Sequence, residues 1–321
     1  LMEDVKFYIG PMSKNIVDSI IEFTEETGNK IGLIPSRRQV EHNGGYVNNW
    51  TTAEFSKYVN GRVPIERDHG GAGQGYEEDD GQKSFKVDAS YFDIIHVDPW
   101  KKYTDMKGGI SETIDNMRMV YKINPKVLFE IGTEEAIRKF TPDELNTLIK
   151  ACNEFDFFEN IKYAVVQSGV GIDLSKRINT GKYDEGRLGE FIDVCRHWSI
   201  LSKEHNGDYL TNKEIKDKFS IGLDALNIAP EFGQIETLCY LQHFNAIGNG
   251  IDDYYRICYK SRRWEKWVSD DFSPEDNKEK LIRICGHYVL SNKEFIDIKP
   301  NIDDEIKRTI KNKLRDLYDV K

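Results

Sequence analysis

Eight short β-rich runs recur along the chain, each ending in a polar or glycine-rich segment. They occupy 6–10, 31–35, 63–67, 92–97, 127–131, 163–167, 199–202 and 225–229, so their starts fall roughly thirty residues apart, the spacing of a strand-plus-helix unit. Between them run amphipathic segments such as NIVDSIIEF, TAEFSKYV, SETIDNMRMVYKI and PDELNTLIKACNEF, whose apolar residues repeat at helical period. The start of the last is bounded by Thr141 as N-cap, Pro142 at the first helical position and Asp143 and Glu144 in the first turn. Alternating strands and helices imply a parallel sheet. An open doubly wound sheet has the same periodicity, but eight even repeats favour closure into an α/β fold of the (β/α)8 TIM-barrel type.

A chain of 321 residues with 39% hydrophobic content suits one barrel domain of the usual roughly 250 residues. The expected division is a barrel over 1–248 and a C-terminal helical extension over 249–321, packed on the barrel and containing Tyr254, Tyr255, Trp264 and Trp267. Two insertions interrupt the pattern, 70–82 after the third strand and 175–189 after the sixth, and either would serve as a lid. No apolar run approaches the ~20 residues that span a bilayer, and the N-terminal segment has no signal-peptide pattern, so no membrane partner and a cytoplasmic location are expected. The cysteines at 152, 195, 239, 258 and 285 are odd in number and never spaced as CxxC, which argues against a disulfide framework or a zinc ribbon. A net charge of −10 and a pI near 5.4 argue against a nucleic-acid partner, because a phosphate backbone demands a positive footprint.

In such barrels the C-terminal strand ends build the site, and here those ends are almost all polar. Asp68-His69 is the sharpest pair: a carboxylate beside an imidazole supplies a proton carrier and a metal ligand, and Gly70-Gly71 lets a substrate approach. His205 offers a second imidazole, and Glu130 a carboxylate that would complete an N,N,O set for zinc or another divalent ion. A third histidine, His96, also falls at a strand end. Basic residues cluster there too, including Lys14, Arg37, Arg38, Arg67, Lys101, Lys102 and Lys203, which suits a phosphate or carboxylate. Gly169 and Gly171 in QSGVG, and Asn206-Gly207 in EHNGD, would offer backbone N–H groups to such an anion. Lys203 is alternatively a Schiff-base lysine, although Glu204 and His205 beside it favour a hydrogen-bonding role.

The segments PSRRQVEHNGGY, PIERDHGG, IIHVDPW, FEIGTEEA, YAVVQSGVGID, SKEHNGDYLT and ALNIAPEFGQIE together resemble the class II sugar-bisphosphate aldolases, most closely the accessory, non-catalytic subunit of class II tagatose-bisphosphate aldolase. The resemblance covers roughly residues 31–236, with short motifs in the family's order. It implies Asp68 as the proton-transfer carboxylate, His69 and His205 as metal ligands, and Glu130 as a nearby strand-five acid. It departs from the catalytic members after the sixth strand, where Gln167-Ser168-Gly169 stands in place of a metal-binding histidine, as in the accessory subunits. Glu130 or Glu134 would then have to substitute.

The expected function is an aldolase-like carbon–carbon lyase acting on a phosphorylated or acidic sugar through a metal-stabilised enediolate. Asp68, Glu130 and Lys203 are the catalytic candidates. Arg37, Arg67, Gln167, Ser168, Gly169, Gly171, Asn206, Gly207 and Glu231 are the substrate and phosphate candidates, and His69, His205 and Glu130 the metal ligands. A non-catalytic partner subunit of such an aldolase and a sugar-phosphate epimerase or isomerase are the alternatives. The expected assembly is a homo-oligomer or a hetero-oligomer with an aldolase subunit.

Overall fold

The computed structural model describes residues 5–319. Eight parallel strands form one sheet: β1 (Phe7–Ile9), β2 (Ile31–Leu33), β3 (Glu66–Gly70), β4 (Ile94–Val97), β5 (Leu128–Ile131), β6 (Ile161–Val166), β9 (Leu201–Glu204) and β10 (Ala225–Ile228). Their order is β2-β1-β10-β9-β6-β5-β4-β3. The two outer strands meet through parallel bridges between Leu33 and Ile65 and between Ser36 and Asp68, with Leu33 N donating to Pro64 O at 2.9 Å and Asp68 N to Pro35 O at 3.0 Å. The sheet therefore closes into a (β/α)8 barrel.

The helices α1 (Lys14–Thr27), α2 (Thr52–Val59), α3 (Gln82–Tyr91), α4 (Met106–Ile123), α5 (Pro142–Cys152), α6 (Glu185–His197), α7 (Asn212–Ile221) and α8 (Pro230–Ile247) form the outer layer. Capping boxes start three of them, Thr51 with Glu54, Thr141 with Glu144 and Thr211 with Glu214, each satisfying two otherwise orphaned groups at a helix start. Beyond α8, helices α9 (Ile251–Ser261), α10 (Lys278–Cys285), α11 (Lys293–Ile298) and α12 (Asp303–Asp319) continue the chain. The last returns across α1 and α8, and Lys311 pairs with Glu22 and Glu26 on α1. No helix among the described residues is long and apolar enough to cross a membrane.

Three features depart from the sequence reading. Strand β3 begins at Glu66 rather than at 63, so Asp68 and His69 lie inside the strand, and β9 likewise starts at 201 rather than 199. Apolar residues marked the wrong segment in each case, because the stretch that pairs carries charged side chains into the barrel. The 175–189 insertion is half helix: it follows the first strand of a hairpin, β7 (Ile172–Asp173) with β8 (Ile178–Asn179), and its end enters α6. The 70–82 insertion is strapped down by Arg37, which donates to both Asp79 carboxylate oxygens and to Gly71 O.

Arg67 serves packing rather than an anion. It points outward from β3, fully buried, and holds Asp88 of α3 through two bonds of 2.7 Å while donating to Pro35 O and Val40 O. Its guanidinium also lies over the Phe92 ring. Arg67→Met leaves Asp88 without its cationic partner in the core, so urea unfolding should show a loss of about 3–5 kcal/mol. Unchanged stability would mean that the pair is dispensable.

Candidate active site

His69, His96 and His205, from β3, β4 and just beyond β9, bring their rings together at the C-terminal mouth, with centroids 4.8, 4.8 and 5.1 Å apart. Asp68 joins them, and one ligand atom from each of the four lies within 4.8 Å of every other. In a regular strand, neighbours 68 and 69 would face opposite sides. The ladder with β4 is irregular between Arg67 and Gly70, and His69 adopts φ 44°, a left-handed conformation that non-glycine residues rarely accept. The bend turns both side chains to the mouth. Gly70 makes room for it, since a Cβ there would stand 2.9 Å from His96 O.

Each imidazole is fixed by an oxygen that can only accept. His69 Nδ1 donates to Asp98 Oδ2 at 2.5 Å, His96 Nε2 to Gly132 O at 2.8 Å and His205 Nε2 to Glu130 Oε1 at 2.7 Å. The other nitrogens, His69 Nε2, His96 Nδ1 and His205 Nδ1, face inward, with His69 Nε2 and His205 Nδ1 3.2 Å apart and His96 Nδ1 accepting a long 3.3 Å bond from His69 N. Asp68 Oδ1 is buried without a hydrogen-bond partner and lies 3.5 Å from both of those nitrogens. Three oriented nitrogens around an orphaned carboxylate oxygen fit a divalent cation. Tetrahedral donors at roughly 2.1 Å lie about 3.4 Å apart, so the cluster would have to contract on one. Glu130 is not among these donors: it orients His205 from outside, and the third imidazole is His96.

The charges follow from this crowding. Burial works against the charge on His69, but Asp68, Asp98 and Glu134 outweigh it and raise its pKa to about 10. Burial, with the cationic His69 beside them, pushes His96 and His205 well below the usual range. Asp68 is lifted to about 6 by burial, opposed by His69 and assisted by Glu134 and Glu130. Its side chain keeps 24% exposure against 14% for His69 and 4% for His205, so Asp68 is the group that meets an incoming molecule.

The donors expected to bind an anion are largely committed elsewhere. Gln167 donates to Thr133 O and Arg138 O and accepts from Phe140 N. Ser168 N and Oγ donate to Glu204. Gly171 N donates to Asn179 Oδ1, and Gly207 N to Asn227 O. Gly169, at φ 85°, lies against Lys182 O. Asn206 donates to Glu134, while Glu231 accepts from Tyr209 N and pairs with Lys313. Arg37 is bound to Glu41 and Asp79, and Lys203 is buried in the barrel below the cluster.

A basic pocket stands elsewhere on the same mouth. A cavity of about 470 Å³ beyond the ends of β1, β2 and β10 is lined by Ser36, Arg38, Tyr76, Arg263, Lys266 and Tyr288, among others. Arg38 and Arg263 stack over Tyr76. They and Lys266 have no carboxylate within ion-pair distance among the described residues, and burial with the neighbouring Arg38 and Arg263 lowers the Lys266 pKa. Arg263 and Lys266 come from the segment after α9, which carried no strand-end signal in the sequence.

The fold is aldolase-like. It is similar over 99% of this chain and 100% of the other to a probable tagatose 6 phosphate kinase from Sinorhizobium meliloti 1021, with a TM-score of 0.77 at 13% identity. A putative fructose-1,6-biphosphate aldolase from Coccidioides immitis matches with a TM-score of 0.56 at 11% identity, covering 99% and 92% of the two chains. The YdjI aldolase from Escherichia coli K12 matches with a TM-score of 0.53 at 12% identity, over 92% and 90%. No family model and no curated protein matches the sequence.

Cation binding at the cluster must displace the His69 proton. Zinc affinity, measured by competition with a chromophoric chelator, should therefore rise with pH across the neutral range, roughly tenfold per unit for one displaced proton. His96→Ala should weaken it by at least about tenfold. Equal affinity in the variant would remove His96 from the donor set.

Proposed function

We propose that this chain is a metal-dependent, aldolase-type carbon–carbon lyase acting on a phosphorylated sugar. The observation that carries the reading is the convergence of three imidazoles, each oriented by one hydrogen-bonded nitrogen, on the orphaned Asp68 oxygen. His69, His96 and His205 would hold the cation beside Asp68, and it would supply Lewis-acid polarisation of a ketone when bound. Asp68, the outermost member, accepts the hydroxyl proton as the carbon–carbon bond breaks and returns one on re-formation. A carboxylate whose proton affinity burial raises suits both directions. Arg38, Arg263 and Lys266 bind the phosphate, and the tyrosine faces beside them pack against the carbon chain.

The same proton transfer would serve an epimerase or isomerase, so purified protein loaded with zinc should be assayed with both ketose phosphates and epimerisable sugar phosphates. Aldehyde release from the former supports the lyase reading, and isomer formation without cleavage overturns it. On the accepted substrate, Asp68→Asn should lower kcat by roughly 10²–10⁴-fold. Because Asp68 acts as a base only when ionised, and a bound cation favours that form, kcat of the parent should fall as the pH descends below about 6, and that limb should vanish in the variant. Arg263→Ala and Lys266→Ala should raise KM with kcat little changed, the pattern of lost uniform binding.

A further inference from the structure

Beneath the cluster lies a buried ion network that the reaction above does not use. Lys203 Nζ donates to Glu66 Oε2 at 2.5 Å and to Glu130 Oε2 at 2.9 Å, and all three side chains are fully buried. The ammonium rests on the faces of Tyr8 and Tyr163, 3.8 and 4.8 Å from their centroids. The remaining Glu130 oxygen, Oε1, accepts from His205 Nε2. Barrel interiors are ordinarily filled by branched apolar side chains, and replacing a buried ion network with apolar residues is often neutral or stabilising. Stability alone gives little reason for this one. Its hydrogen bond to the mouth runs through Glu130 to His205.

We propose that Lys203 is a positioning residue: by claiming Oε2 of Glu130 it aims Oε1 at His205 Nε2, and so holds the His205 ring with Nδ1 facing the cluster. The proposal rests on the reading of the cluster as a cation site, but the tautomer of His205 belongs to the metal-free protein and is measurable without a cation. An ammonium can only donate. In Glu130→Gln, Lys203 therefore takes the amide oxygen and turns the amide NH2 toward His205. Nε2 must then accept, and the ring proton moves to Nδ1, into the cluster. Removing Lys203 frees the amide to turn its oxygen back to His205.

The experiment compares the parent, E130Q and the triple variant E66Q/E130Q/K203M, which buries no charge in the barrel centre. In metal-free, 15N-histidine-labelled protein, long-range 1H–15N correlations should show Nε2–H at His205 in the parent, Nδ1–H in E130Q and Nε2–H again in the triple variant. Zinc affinity should follow, falling about 10–100-fold in E130Q and recovering most of that loss in the triple variant. A merely structural lysine predicts no recovery. Nε2–H retained in E130Q, or Nδ1–H retained in the triple variant, overturns the proposal. Should E130Q fail to fold by circular dichroism, E66Q/K203M decides: Glu130 can still only accept, so His205 keeps Nε2–H, but with Glu130 untethered zinc affinity should fall about tenfold, and unchanged affinity overturns the proposal. If the parent binds no zinc while the tautomers follow the expected series, the cation reading fails and the positioning role stands.

Discussion

The structure depends on a charged network sealed in the centre of a closed barrel. Lys203 can sit there only because two carboxylates and two tyrosine faces replace the water it gives up. Glu66 retains an unpartnered oxygen, and burial with Glu130 nearby raises its pKa despite the lysine. Such a network tolerates little displacement, because every group that moves loses a partner in a medium without water. That rigidity passes upward through Glu130 to His205.

Above this floor, three strands contribute one imidazole each, and every ring uses one nitrogen on a protein oxygen. The acceptors differ: a carboxylate from the β4 end for His69, a backbone carbonyl after β5 for His96 and a strand-five carboxylate for His205. Ring orientation is thus set by groups outside the cluster, the arrangement that supports metal ligands generally. The bend at His69 is the local strain that this convergence requires, and Gly70 and Gly71 accommodate it against His96 O and Asp98 O.

The basic pocket has a different origin. Arg38 follows β2, whereas Arg263 and Lys266 arrive with the C-terminal extension. In a protein of net charge −10, three cations without carboxylate partners among the described residues, set beside tyrosine faces, form a local positive field suited to an anion. The glycine-rich loop reaches the same pocket, since Arg38 donates to Gly75 O and Arg263 to the Tyr76 hydroxyl. Barrel and extension therefore share one mouth.

The sequence by itself determined the eight strand–helix repeats, because the alternation of strand and helix and the helix caps are local signals that survive without knowledge of neighbours; closure of the sheet rests on the pairing of β2 with β3. It also determined that Asp68, His69 and His205 share a mouth, since strand ends in a barrel converge whatever their order in the chain. Only the tertiary structure decided the rest. It set Glu130 behind His205 as a hydrogen-bond partner and brought His96 into the cluster, because ring orientation depends on which oxygen lies across a strand pair. It committed Arg37, Arg67 and the QSGVG and EHNGD amides to internal partners, because a strand-end cation or N–H looks the same in sequence whether it meets a ligand or a buried acceptor. And it placed Lys203 in the barrel centre, because a charged residue inside a strand leaves no hydrophobic periodicity to mark which way it points.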